Sequence, residues 1–139
     1  MSVANVMNIS DLIHLNSPFT LDQVDAVRTA LVSQQAGEVR QAYTELRQKI
    51  DAGDASDTTL ARAGVTAYLL SKHNEADALL GRVGKDGVAC YYHAQALTSL
   101  GRHAEAARKF EEAGKDGYDQ IDATLRQAGA IRADGNVDQ

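Results

Sequence analysis

GKDGVACYYHAQALTSLGRHAEAARKFEEAGKDG, residues 84–117, begins and ends with the same tetrapeptide. Between the copies lie VACYYHAQALTSL (88–100) and HAEAARKFEEA (103–113), parted by Gly101-Arg102. Both carry small and apolar residues at helical spacing, and both are rich in Ala, the best helix former. Glycine tolerates the left-handed backbone that ends a helix, and Asp is a favoured N-cap. The first Gly of each GKDG is therefore expected to end one helix and the Asp to start the next. A joint that returns after thirty positions implies that the helix pair between the joints returns as well.

Working outward, the rest of the chain reads the same way. Thr20 and Gln23 have the spacing of a capping box, with Phe19 and Val24 placed as a hydrophobic staple. A helix is expected from Thr20 to Ala36, with Leu21, Val24, Val27 and Leu31 on its apolar face and Gly37 as a left-handed cap. GEVRQAYTELRQKI (37–50) follows, then the turn-forming DAGDASD (51–57). TTLARAGVTAYLLSK (58–72), NEADALLGRV (74–83) and YDQIDATLRQAGAIRA (118–133) complete about seven helices. The fold class is all-α. Residues 1–19 read as an irregular N-terminal segment or cap, in which Val6, Ile9, Leu12, Ile13 and Leu15 suit a short amphipathic turn or two. Residues 20–139 read as one helical repeat domain.

The breaks within helix pairs, Gly37, Ser71, Gly101 and Gly135, stand 34, 30 and 34 residues apart. Five residues after three of them come Ala42, Ala76 and Ala106, and four further on Leu46, Leu80 and Phe110. Helix-turn-helix units of about 34 residues are the period of the tetratricopeptide repeat. GVACYYHAQALTSLGRHAEAARKFEEA (87–113) resembles that family closely: Gly101 at the turn, Ala106 where two helices touch, Phe110 as the large plug, Ala113 at the close. SKHNEADALLGRV (71–83) and GEVRQAYTELRQK (37–49) are weaker copies, and Gly64 and Ala94 take the small position of the first helices. The resemblance implies about three and a half repeats in a right-handed superhelical solenoid, each pair hiding the apolar face its neighbour cannot bury alone. The middle unit is four residues short, which removes about one turn. The fourth stops where its second helix would begin, as in a domain of a longer protein or one capped by its last helix.

Composition narrows the class of function. The formal charge is −5, so no basic face for nucleic acid is expected. No apolar run approaches the roughly 20 residues of a membrane span. MSVANVMNISDLIHL has no basic n-region or continuous apolar stretch of a secretory signal. One cysteine excludes an internal disulfide, and the expected location is the cytoplasm.

No phosphate loop, HExxH or CxxC is present. Cys90 and His93 stand one turn apart with His103 nearby, but a third ligand is missing and cysteine commonly packs as a small buried residue. Neither an enzyme, a metal nor a cofactor is expected. Glu105 and Lys109 are placed to pair at i,i+4. Tyr91 and Tyr92 point about 100° apart on a helix and are not expected to share one buried face.

The resemblance further implies a concave groove lined by the first helix of each pair and filled by a protein or peptide partner. Its inner positions fall on Val24, Val27 and Leu31, then Arg62, Val65, Tyr68 and Leu69. Val88, Tyr91, Tyr92, Gln95 and Thr98 follow, with Leu125 and Arg132 on the last helix. Val88 and Tyr92 stand where a carboxylate clamp would hold basic residues, so that clamp is not expected. The alternatives are a small acidic secretion chaperone and an accessory interaction domain of a larger enzyme. An open last repeat also suits self-association through the C-terminal helix.

Overall fold

The computed structural model describes residues 8–137. Among them are eight α-helices and no strand: α1 (Ile9–Ile13), α2 (Leu21–Leu31), α3 (Ala36–Asp51), α4 (Asp57–Leu69), α5 (His73–Leu80), α6 (Gly87–Ser99), α7 (His103–Lys115) and α8 (Gln120–Val137). The helix beyond the seven expected is α1. It forms because Asn8 caps it by accepting from the Ser10 N–H, and because Ile9 and Ile13, one turn apart, are both buried. Val6 lies outside the described residues, as do Asp138 and Gln139.

Each helix packs on its successor in the chain, and α2 on α4 and α4 on α6 form a second set of contacts. The helices thus pair as α2–α3, α4–α5 and α6–α7, with α8 against α7. Small residues permit this closeness: Ala42, Ala76 and Ala106 are all fully buried. Gly64 packs against α5 so tightly that an added Cβ would stand 2.5 Å from Leu80 Cγ. One apolar core runs from Ile9 to Ala130.

Two joints inside the pairs are true copies. Ser71 (φ 63°) and Gly101 (φ 78°) are both left-handed. The next N–H in each case reaches back across the turn, Lys72 to the Ala67 carbonyl at 2.8 Å and Arg102 to the Leu97 carbonyl at 2.9 Å. This is the Schellman closure of a helix end. The α5 helix has eight residues against thirteen in α7, which is where the short middle unit loses its turn.

Four expectations need correction. Gly37 lies inside α3 with no positive φ, and α2 ends at Leu31. Ser33 makes that turn by donating to the Ala30 carbonyl at 2.7 Å and accepting from the Gln35 N–H at 3.1 Å. Gly135 lies inside α8, so no second helix begins there. Nor do the GKDG copies match each other. Asp86 caps α6 by accepting from the Ala89 N–H at 3.1 Å, whereas α7 runs on through Gly114 and Lys115, and Asp119 serves α8 by accepting from the Asp122 N–H at 3.0 Å. Neither Gly84 nor Gly114 has a positive φ; Gly117 does, at 102°. Finally, Glu105 pairs with Arg102 and Lys109 with Glu112, both at i,i+3, in place of the expected Glu105–Lys109 pair.

The N-terminal segment is clasped by one side chain. Arg62 on α4 is fully buried, and its guanidinium donates to the carbonyls of Leu12 (2.7 Å), Ser17 (2.8 Å) and Pro18 (3.2 Å). It also donates to Ser17 Oγ and to Gln23 Oε1, and lies 4.6 Å over the Phe19 ring. Gln23 is itself half of the capping box with Thr20. A buried cation is costly unless its donors are met, and here five acceptors meet them.

Candidate functional site

The first helices of the pairs, together with α8, enclose a groove of about 500 Å³. Its floor is aromatic: Tyr68 from α4, Tyr91 and Tyr92 from α6, and Tyr118 from the joint before α8. Tyr91 and Tyr118 stack at 4.0 Å and 11°, Tyr91 and Tyr92 meet edge to face at 5.3 Å, and Tyr68 tilts against Tyr92 at 5.5 Å. The angled contacts among Tyr68, Tyr91 and Tyr92 are of the kind that favours aromatic clusters. The walls are charged and matched. On α2, Asp25 and Arg28 stand 3.4 Å apart; on α8, Asp122 and Arg126 stand 3.6 Å apart.

Hydrogen bonds tie floor to wall. Arg28 Nη2 donates to Tyr92 Oη at 3.2 Å, linking α2 to α6, and Gln95 Nε2 donates to Tyr91 Oη at 2.8 Å. Burial raises the pKa of Tyr68, Tyr91 and Tyr118, and for Tyr118 the neighbouring Tyr91 adds to it. Tyr68, Tyr91 and Tyr118 therefore stay protonated and neutral at physiological pH; Tyr68 and Tyr118 are the partly exposed rings, with Tyr91 and Tyr92 buried beneath them. Arg28 is held above its ordinary pKa even though burial opposes it, because the Tyr92 bond and Asp25 outweigh that cost. The groove thus combines an apolar aromatic base with a rim of both charge signs, the composition of a protein-binding patch.

Of the sequence-derived positions, Tyr68, Tyr91, Tyr92 and Gln95 line this groove. Val24, Val27, Arg62 and Val65 are fully buried and present nothing to a partner. Arg62 is occupied by the N-terminal clasp, and the valines pack the core. Leu31, Leu69 and Val88 are partly buried against that core, and Thr98 spends its hydroxyl on the Ala94 carbonyl at 2.9 Å. Leu125 and Arg132 are exposed on α8 but do not line the groove. Tyr91 and Tyr92 are both buried without sharing one face, because α6 is packed by α4, α5 and α7 and has no single buried face.

The residues that sequence reasoning missed are Leu21, Asp25, Arg28, Tyr118, Asp119, Asp122 and Arg126. A signal existed. Leu21, Asp25 and Arg28 fall at i, i+4, i+7, and Asp119, Asp122 and Arg126 at i, i+3, i+7, each a single helical stripe. On α2 that stripe runs beside Val24 and Val27, the positions expected to line the groove. None of residues 8–19 lines the groove; they dock through α1 against α2, α3 and α4.

Cys90 and His93 do not form a nucleophile pair. The Cys90 thiol donates toward the Lys109 carbonyl at 3.3 Å, and burial, with Glu112 adding to it, pushes its pKa up to about 12. A thiol so held is a poor nucleophile. His93 Nε2 bonds Asp77 Oδ1 at 2.7 Å, and Arg102 bonds the other Asp77 oxygen at 2.7 Å. The two partners shift the same way for opposite reasons. Burial lowers the His93 pKa despite Asp77, whereas bonds from His93 and Arg102 hold Asp77 below its ordinary range despite burial. The pair is best described as a neutral imidazole donating to a carboxylate whose charge Arg102 balances. Among the described residues no three His, Cys, Asp or Glu side chains converge as metal ligands, and no helix is long and apolar enough to cross a membrane.

Comparison with family models, with curated proteins and with solved structures gives no match to this chain in any of the three.

Proposed function

We propose that the protein is a binding scaffold: a tetratricopeptide-like solenoid that holds an extended or helical segment of a protein partner in the tyrosine-floored groove. The observation that carries this reading is the shared origin of the lining. Alternate helices α2, α4 and α6, with α8, each contribute side chains to one concavity. Stacked helix pairs create such concave surfaces by their geometry. Aromatic residues and arginine are the side chains that dominate binding energy at protein interfaces. The matched Asp–Arg pairs on opposing walls suit a partner bearing both charge signs, with an apolar or aromatic side chain on the tyrosines.

The test uses the full chain against a displayed library of random peptides. Wild type should enrich a peptide family. Tyr68→Ala and Arg126→Glu, both folded by circular dichroism, should each weaken the selected peptides about tenfold, the usual size of a groove anchor's contribution. Lys85→Glu, outside the groove, should leave affinity unchanged. Failure to enrich any peptide, or wild-type affinity in both groove variants, would overturn the reading.

A further inference from the structure

Arg62 joins two pieces of the chain that precede it. Its guanidinium holds the carbonyls of Leu12, Ser17 and Pro18 in the N-terminal strap, residues 8–19. The same Nη2 that meets Pro18 donates to Gln23 Oε1, in the first turn of α2, at 3.0 Å. Every one of its acceptors is a neutral oxygen. The strap is held further by Ile9, Ile13 and Phe19, all buried. His14 adds polar ties to α3, with Nε2 3.0 Å from Glu45 and Nδ1 3.0 Å from Lys49.

Helix α2 leans on this strap. Three of its eleven residues, Val24, Val27 and Ala30, are buried, against eight of thirteen in α4 and again in α6. Leu21 and Val32, at its two ends, are exposed. Yet α2 supplies one wall of the tyrosine groove through Leu21, Asp25 and Arg28. An element with so few buried side chains opens locally before the core does. The chemistry of the pin favours such opening. An apolar side chain at position 62 would be left facing water, whereas a released guanidinium regains its hydration. The burial of Ile9, Ile13 and Phe19 keeps the closed arrangement as the ground state.

We propose that the strap and α2 form one conformational unit, pinned at Arg62, which opens and closes as a piece and so couples the N-terminal segment to a wall of the groove. A peptide gripped by the α2 wall then also holds the strap closed. By reciprocity, whatever pulls the strap away weakens the groove's grip. This coupling to a ligand rests on the groove reading above; the existence of the unit does not.

Hydrogen exchange of the full native chain, without ligand, tests the unit. The amides of Leu12, His14 and Val24 are bonded to the carbonyls of Asn8, Ser10 and Thr20. All three should share one opening constant and exchange at least tenfold faster than Ala94 at the buried centre of α6. Ile13→Ala, which alters the strap alone, should speed all three by one common factor, about thirtyfold or more, and leave Ala94 unchanged. Arg62→Lys keeps the charge but loses the planar fork, and should give the same pattern at about tenfold or more. If Arg62→Lys does not fold, Ile13→Ala still decides. Val24 exchanging at the rate of Ala94 in wild type, or strap amides that speed up without Val24, would overturn the proposal. A peptide enriched on the groove should slow Leu12 and His14, which lie outside it, as much as Val24. Slowing confined to α2 would overturn the coupling. Should no peptide be enriched, the groove reading fails while exchange in the free chain still decides the unit.

Discussion

Residues 84–87 and 114–117 are the same four amino acids and adopt different structures. In the first, the chain leaves α5, passes Gly84 without a left-handed residue, and starts α6 on an Asp86 cap. In the second, Gly114 and Lys115 extend α7, Asp116 ends it, Gly117 reverses the backbone at φ 102°, and Asp119 caps α8. Helix α5 stops at Leu80 while α7 continues to Lys115, and that difference shifts the register of the joint. Local propensity allows both outcomes. What selects between them is where the neighbouring helices must lie for Ala76 and Ala106 to remain buried.

The sharpest way to break this comparison is at its paired glycines. Gly87→Ala should be the most costly, about 2–3 kcal/mol, because its Cβ meets backbone rather than a yielding side chain. Gly117→Ala should cost roughly 1–2 kcal/mol, from positive-φ strain alone, since open space surrounds its Cβ. Urea denaturation of the two variants reads both values. Equal costs would mean that the joints are equivalent after all.

The aspartates give a smaller contrast. Asp86→Ala removes an N-cap and should cost about 1 kcal/mol, whereas Asp116→Ala should stay within about 0.5 kcal/mol. Asp119→Ala, outside the tetrapeptide, should cost about as much as Asp86→Ala, since it performs the capping that Asp116 does not. If Asp116→Ala proved the worse of the pair, the assignment of caps would be wrong.

The smallest effect is one of pH, and it reads only the α5–α6 side, which His93 bridges through Asp77. Burial lowers the His93 pKa, so the unfolded chain takes up a proton near the ordinary 6.5 while the folded protein does so only at lower pH. Stability is therefore retained above that value and declines as pH falls below it. Denaturation midpoints measured between about pH 7.5 and 5.5 should drift downward in wild type, and less so in His93→Gln. A midpoint that rises on acidification would mean that Asp77 stabilises the imidazolium more than burial opposes it.

Much of the architecture is legible in the amino acids. The helical periods, the Thr20–Gln23 box, the Asp86 cap and the Ser71/Gly101 joints are local features, satisfied within a few residues of backbone. The small residues that let helices touch, Gly64, Ala76, Ala94 and Ala106, are likewise visible as a pattern. The candidate groove was only half legible. Tyr68, Tyr91, Tyr92 and Gln95 fell on expected positions, but Arg62 and Val65 did not reach the surface at all. A guanidinium on a first helix reads as a groove cation until the chain at Leu12–Pro18 is seen folded over it.

By itself, then, the sequence determined that this protein is helical, where most helices start, and which faces are too small or too apolar to meet water. Those properties depend on hydrogen bonds and sterics within one or two turns. Only the tertiary structure decided that identical tetrapeptides would part ways and that Arg62 would clasp the N-terminal segment. It also decided that Tyr118 would stack on Tyr91 from another helix's doorstep. Each of these depends on side chains far apart in the chain competing for one volume, and the close-packed interior grants that volume to a single arrangement.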